Sequence, residues 1–102
     1  MKYKIYQIKN LEQCDYGFMP WRFAHDKFNM NDYQKVYEGS IEQEDTTQEV
    51  STTNYLEHLF YVFNCEHPKD FKGRSLSVSD VVELEGVGSF YCDSSGWQKL
   101  EA

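Results

Sequence analysis

Long apolar runs are missing from this sequence of 102 residues: the longest, Leu59 to Phe63, has five, against the roughly 18 that a membrane-spanning helix needs. No membrane partner is expected. Cysteine is sparse too. Cys14, Cys65 and Cys92 are odd in number, widely spaced and without a CxxC pair, which fits reduced thiols in the cytoplasm better than a disulfide framework. One bridge stays open. The start, Met1 to Tyr6, carries two lysines but no apolar stretch or small-residue cleavage site behind them, so no secretory signal is read and a cytoplasmic location is expected. Basic side chains are scarce: 10 Lys and Arg stand against 17 Asp and Glu, a net charge of -7 and a pI near 4.8. Phosphate backbones repel such a chain, so no direct nucleic-acid binding is expected.

Aromatic residues fill the gap left by the modest apolar content. Seven Phe, eight Tyr and two Trp make up 17% of a chain that is only 40% hydrophobic, which argues for a folded core despite a mean hydropathy of -0.71. The length fits one domain over residues 1–102, able to bury about two-thirds of its unfolded surface without staples. Lys2 to Lys9 reads as a strand whose apolar phase slips between Ile5 and Tyr6, as a bulge would cause. Pro20 opens a short helix over 20–28, with Trp21, Ala24 and Phe28 at i, i+3 and i+7. Gln34 to Ile41 reads as a second strand, and the polar, acidic stretch from Glu42 to Thr53 as a loop. Asn54 and Glu57 form a capping-box pattern ahead of Leu56, Leu59, Phe60 and Phe63, which predicts a helix ending near Asn64. Asp80 to Glu85 and Gly88 to Asp93 predict a hairpin, and Trp97 to Leu100 a last edge strand. The expected fold is α+β: a mainly antiparallel sheet of about four to five strands, with two helices packed on one face.

Chemistry is harder to find. His58, Cys65 and His67 carry zinc-binding groups, but their spacing matches no standard pattern and a fourth ligand is wanting. Ser89 lacks the elbow of a serine hydrolase, and Gly86 and Gly88 precede neither a helix nor a lysine, so they read as turn glycines. Asp80, Glu83 and Asp93, with Arg74 near, contain the carboxylates of a metal-dependent nuclease. Asp80 and Glu83, however, sit at odd separation on a strand and point to opposite faces. No cofactor, metal or catalytic group is expected. Ser75, Ser77 and Ser79 alternate with Leu76 and Val78; an extended segment would put hydroxyls on one side, where they and Asp80 can satisfy backbone groups.

That block also carries a resemblance. Gly73 to Val82 (GRSLSVSDVV), Phe90 to Ser94 (FYCDS) and Trp97, with Phe28 to Tyr33, Val36 to Gly39 and the Leu56 to Asn64 stretch, resemble the small YodL-like proteins of Firmicutes over nearly the whole chain. The resemblance implies a protein of conjugative transposons, plasmids or phages in a bacterial cytoplasm. Some small relatives look like anti-CRISPR proteins, which implies inhibition of type II-A Cas9 and a Cas9 or Cas9–guide RNA partner. It supplies no catalytic motif.

Charge distribution agrees with that implication. Residues 36–70 hold eight acids against Lys69 alone, while residues 1–35 hold six bases against four acids. Glu38, Glu42, Glu44, Asp45 and Glu49 are the candidate partner-binding residues, since an acidic run can enter the basic channel of a guided nuclease in place of phosphates. A solvated loop is the competing reading. A non-enzymatic interaction module of a mobile element, and a small nuclease acting on the guide, are the alternative functions. An odd cysteine count and open strand edges leave homodimerisation open.

Overall fold

The computed structural model describes residues 1–41 and 52–100. β1 (Lys2–Ile8) is followed by a one-turn helix α1 (Trp21–Ala24), a 3-10 turn at Met30–Asp32, β2 (Tyr33–Ser40), α2 (Thr52–Cys65), β3 (Val81–Leu84), β4 (Gly88–Cys92) and β5 (Trp97–Leu100). The strands form one five-stranded sheet in the order β2-β1-β3-β4-β5, every neighbouring pair antiparallel. The α+β class, the hairpin and the edge strand are as the sequence leads one to expect.

The two helices do not share a face, which corrects the expected arrangement. Val81 and Val82 are adjacent and both fully buried, as are Phe90 and Tyr91 nearly so. Neighbouring strand residues point to opposite sides, so both faces of the sheet are covered. On one face Tyr3, Ile5, Val82, Leu84 and Phe90 meet Leu56, Leu59 and Phe63 of α2. On the other, Ile8, Tyr33, Val81 and Tyr91 meet Ala24 of α1 and Tyr16 of the preceding segment, with Trp21 and Phe28 half-buried beside them. Each core side chain of this size contributes about 1.5–3 kcal/mol on burial.

This two-sided burial explains the phase slip in β1. Ile5 belongs to the first core and Tyr6 packs against the second. The irregularity itself is on β2: Ile5 faces Tyr37 and Tyr6 faces Lys35, leaving Val36 as the extra residue. α2 begins at Thr52, two residues before the expected cap at Asn54. Its buried stripe is Tyr55, Leu56, Leu59 and Phe63, while Phe60 lies at its margin and meets Trp97 edge-on at 6.4 Å. The Asn64 side chain donates to the Phe60 and Leu76 carbonyls (2.7 and 3.0 Å), tying off the helix end.

α1 is shorter than the expected 20–28 and stops at Ala24, while its start is held from far away in the chain. Asp93 Oδ1, just past β4, accepts from the Trp21 amide at 3.0 Å. The chain continues through turns that return the Lys27 and Phe28 amides to the Ala24 carbonyl.

Candidate functional site

The Gly73 to Asp80 block does not run as an extended strand. It turns at Ser77–Asp80, where the Asp80 amide donates to the Ser77 carbonyl (3.0 Å) and the Ser77 amide to Asp80 Oδ2 (2.9 Å). The serines do satisfy the backbone. Ser77 Oγ donates to the Ser75 carbonyl, and Ser79 Oγ accepts from the Phe18 amide at 3.0 Å. The Tyr33 hydroxyl donates to the Ser79 carbonyl at 2.5 Å.

Asp80 is wholly buried beneath this turn. Gln7, from the middle of the sheet, reads both sides of the turn segment: its Nε2 donates to the Arg74 carbonyl (2.8 Å) and to Asp80 Oδ2 (3.1 Å), and its Oε1 accepts from the Arg74 amide (3.0 Å). Arg74 Nη1 lies 3.7 Å from Asp80 Oδ1, beyond hydrogen-bonding distance. Burial pushes the Asp80 carboxyl up to about 6, against the Ser77 amide, Arg74 and Gln7, which draw it down. Gly73 closes the arrangement, since a Cβ there would stand 2.8 Å from Gln7 Oε1 and 2.9 Å from the Phe71 ring.

The putty around this network is aromatic. Arg74 also stacks over Phe18, its guanidinium carbon 5.6 Å from the ring centre. Phe18 and Ser79 both hold positive φ, 62° and 82°, a conformation that costs a non-glycine residue about 1 kcal/mol or more. Phe18 is nevertheless 52% exposed, and Phe23 on α1 is 56% exposed beneath Arg22. Met19 and Met30 are exposed on the same stretch of chain. Sequence reasoning missed these: Phe18 and Met19 sit in a stretch without periodicity, and Phe23 lies off the Trp21, Ala24 and Phe28 spacing.

The candidate residues from the sequence are dispersed. Glu38 is exposed on β2 and pairs with Lys35 at 3.2 Å. Glu42, Glu44, Asp45 and Glu49 lie outside the described residues. Of the nuclease candidates, Asp80 is buried, Asp93 caps α1, and Glu83 stands 3.7 Å from Lys4 on the open part of the sheet. His58, Cys65 and His67 are each exposed, and the described residues contain no group of three His, Cys, Asp or Glu able to hold a metal ion. Trp21, Phe28, Tyr33 and Trp97 all pack against one of the two cores. No helix of the described residues is long and apolar enough to cross a membrane.

Neither the curated proteins nor the solved structures contain a match to this chain. The model of the YodL-like domain does match, over residues 2–102, and that span takes in both cores and the whole Gly73 to Val82 block. The chain belongs to the YodL-like domain family.

Proposed function

We propose that this chain works by binding a protein partner, and that the partner is a type II-A Cas9 or its guide-RNA complex, inhibited at guide loading or DNA engagement. The observation that carries the binding reading is the group of large apolar side chains held in solvent ahead of and within α1. Phe18, Met19 and Phe23 fall within six positions, and Phe18 is held outward in a strained backbone conformation. The residues that a nuclease would need are spent on structure: Asp80 on Gln7 and Ser77, Asp93 on the start of α1. Support for Cas9 comes from the family resemblance and from charge. Exposed Glu38 stands on the edge strand that leads into the acidic run of Glu42, Glu44, Asp45 and Glu49, and a guided nuclease offers a basic channel to such a run.

The test is Cas9 cleavage of a plasmid target with the purified protein added before or after guide loading, the guide RNA being examined on a gel. Inhibition with intact guide supports the reading, and dependence on order of addition separates loading from DNA engagement. Inhibition should weaken steeply with salt and vanish when Glu42, Glu44 and Glu49 are replaced by Lys. Shortened guide would favour a nuclease. No effect in either order, across several type II-A Cas9 proteins, would remove Cas9 as the partner and leave an interaction module of a mobile element, for which the exposed apolar side chains speak equally.

A further inference from the structure

Three buried polar atoms face one another with no hydrogen-bond partner among the described residues: Asp80 Oδ1 and the Arg74 Nη1 and Nη2 nitrogens. Nη1 and Oδ1 stand 3.7 Å apart, and the same guanidinium lies over the Phe18 ring. Phe18 is therefore one contact away from a buried carboxylate. We propose that Asp80 and Arg74 form a proton-operated latch on Phe18, holding it in its outward position while Asp80 is ionised and releasing it when Asp80 takes up a proton. The latch regulates the binding surface proposed above for Phe18, Met19 and Phe23, and as regulation it rests on that reading.

The two carboxylate oxygens are not equivalent. Oδ2 accepts from the Gln7 side chain and the Ser77 amide, whereas Oδ1 faces Arg74 and has no hydrogen bond. The proton therefore goes to Oδ1, the oxygen turned toward the guanidinium. There it cancels the charge that offsets the cation and sets one donor opposite another. A guanidinium in the interior with neither counter-ion nor hydrogen bond is costly, and the Arg74 side chain, a third exposed, already borders water. It moves outward. The cation–π contact, 5.6 Å from guanidinium carbon to ring centre, is lost with it.

Phe18 is poised to respond. Its φ of 62° costs a residue with a side chain about 1 kcal/mol or more and persists only where contacts hold it. Two of those contacts come from the turn around Asp80: the Arg74 stack, and the Ser79 hydroxyl that accepts from the Phe18 amide at 3.0 Å. The chain after Phe18 is anchored elsewhere, the Met19 carbonyl by the Tyr91 hydroxyl (2.6 Å) and the Trp21 amide by Asp93 (3.0 Å), so the response stays local. Besides Arg74, the titratable groups that face Asp80 are Tyr33 on β2 and Tyr91 and Cys92 on β4; Gln7 on β1 carries no charge. Burial pushes all three upward, Cys92 to about 12, so they stay protonated while the carboxyl, raised by burial to about 6, changes charge.

The test is a pH titration of the isotope-labelled full chain from about pH 4.5 to about pH 8, followed by NMR of the Asp80 carboxyl carbon, the Arg74 Nε–Hε group and the Phe18 ring. One shared midpoint within about one unit of 6 is expected for all three. In Asp80→Asn that transition should be lost, and the Phe18 and Arg74 signals near neutral pH should match those of the parent at the acid end. Shifts caused by the three histidines persist in this variant and are so set apart. In Arg74→Gln the Asp80 carbon should still titrate while the Phe18 ring no longer follows, which isolates the relay through Arg74; this variant also serves if Asp80→Asn loses spectral dispersion. The latch is overturned by an Asp80 carboxyl that does not titrate across the range, by a Phe18 ring that ignores its midpoint, by an equal Phe18 transition in Asp80→Asn, or by a Phe18 ring that still follows Asp80 in Arg74→Gln. No partner enters the experiment: an unmoved Phe18 removes the latch and leaves the Cas9 reading, and loss of the Cas9 reading leaves the measured latch.

Discussion

Replacing Asp80 with Asn should stabilise the protein at neutral pH, although it removes the charge that faces Arg74. The carboxyl is wholly buried and its pKa rises from 3.8 to about 6. At about 1.4 kcal/mol per pKa unit, the ionised form costs the fold about 3 kcal/mol relative to the neutral acid. Asn keeps an oxygen where Oδ2 accepts from Gln7 and Ser77, and it cannot ionise. Its NH2 group would point toward Arg74 Nη1, 3.7 Å from the present Oδ1, which offsets part of the gain. Arg74 Nη1 and Nη2 are themselves buried without a hydrogen-bond partner, but the carboxyl stays raised even with the pull of Arg74 included, so the net expectation is a gain of roughly 1–3 kcal/mol at pH 7. The sign with pH follows from the raised pKa. Between about pH 4 and 6 the folded state holds more protons than the unfolded state, so this group's contribution is complete below the unfolded pKa and is lost as pH rises through about 6. Urea unfolding of both proteins at several pH values should therefore give a stability difference close to zero near pH 4 that grows in favour of Asn up to pH 7. A variant less stable than the parent by more than about 1 kcal/mol at pH 7 would refute the reasoning, showing that pairing with Arg74 outweighs the cost of burial.

Two further outcomes follow from neighbouring contacts. Gly73→Ala places a methyl group 2.8 Å from Gln7 Oε1 and 2.9 Å from the Phe71 ring, and a loss of about 1–3 kcal/mol is expected in urea unfolding; an unchanged midpoint would mean that the segment yields freely. Cys65 is exposed, whereas Cys92 is buried with its thiol pushed up to about 12 by burial and by nearby acids, Asp80 first. A thiol reagent near pH 8 should modify Cys65 promptly and Cys92 only with denaturant, and equal rates under native conditions would contradict the buried placement.

The local signals in the sequence were sound guides to the elements, because strand alternation, the Gly86–Gly88 turn and the α2 stripe are each short-range patterns. The face on which a helix lands is a different matter. Paired apolar neighbours, Val81 with Val82 and Phe90 with Tyr91, are the mark of strands covered on both sides, and read that way they would have placed α1 and α2 on opposite faces. The network around Asp80 was half legible. Its serines and its carboxylate sit in one block, but Gln7 is 73 residues from Asp80 and looks like any polar residue in a strand.

The strand order sets when this protein can fold during its own synthesis. β1 leaves the ribosome before the other four strands of this sheet, yet it lies inside the sheet, with β2 on one side and β3 on the other, Tyr3 opposite Leu84. Its second partner is therefore translated some eighty residues later, and Tyr3 and Ile5 stay without half of their core until then. β3, β4 and β5 are consecutive and pair as a meander, so the late part of the chain organises locally and the early part completes it. A nascent chain that stops short of β3 carries an open strand edge and a half-built aromatic core, the form in which this sequence is most exposed to aggregation and proteolysis.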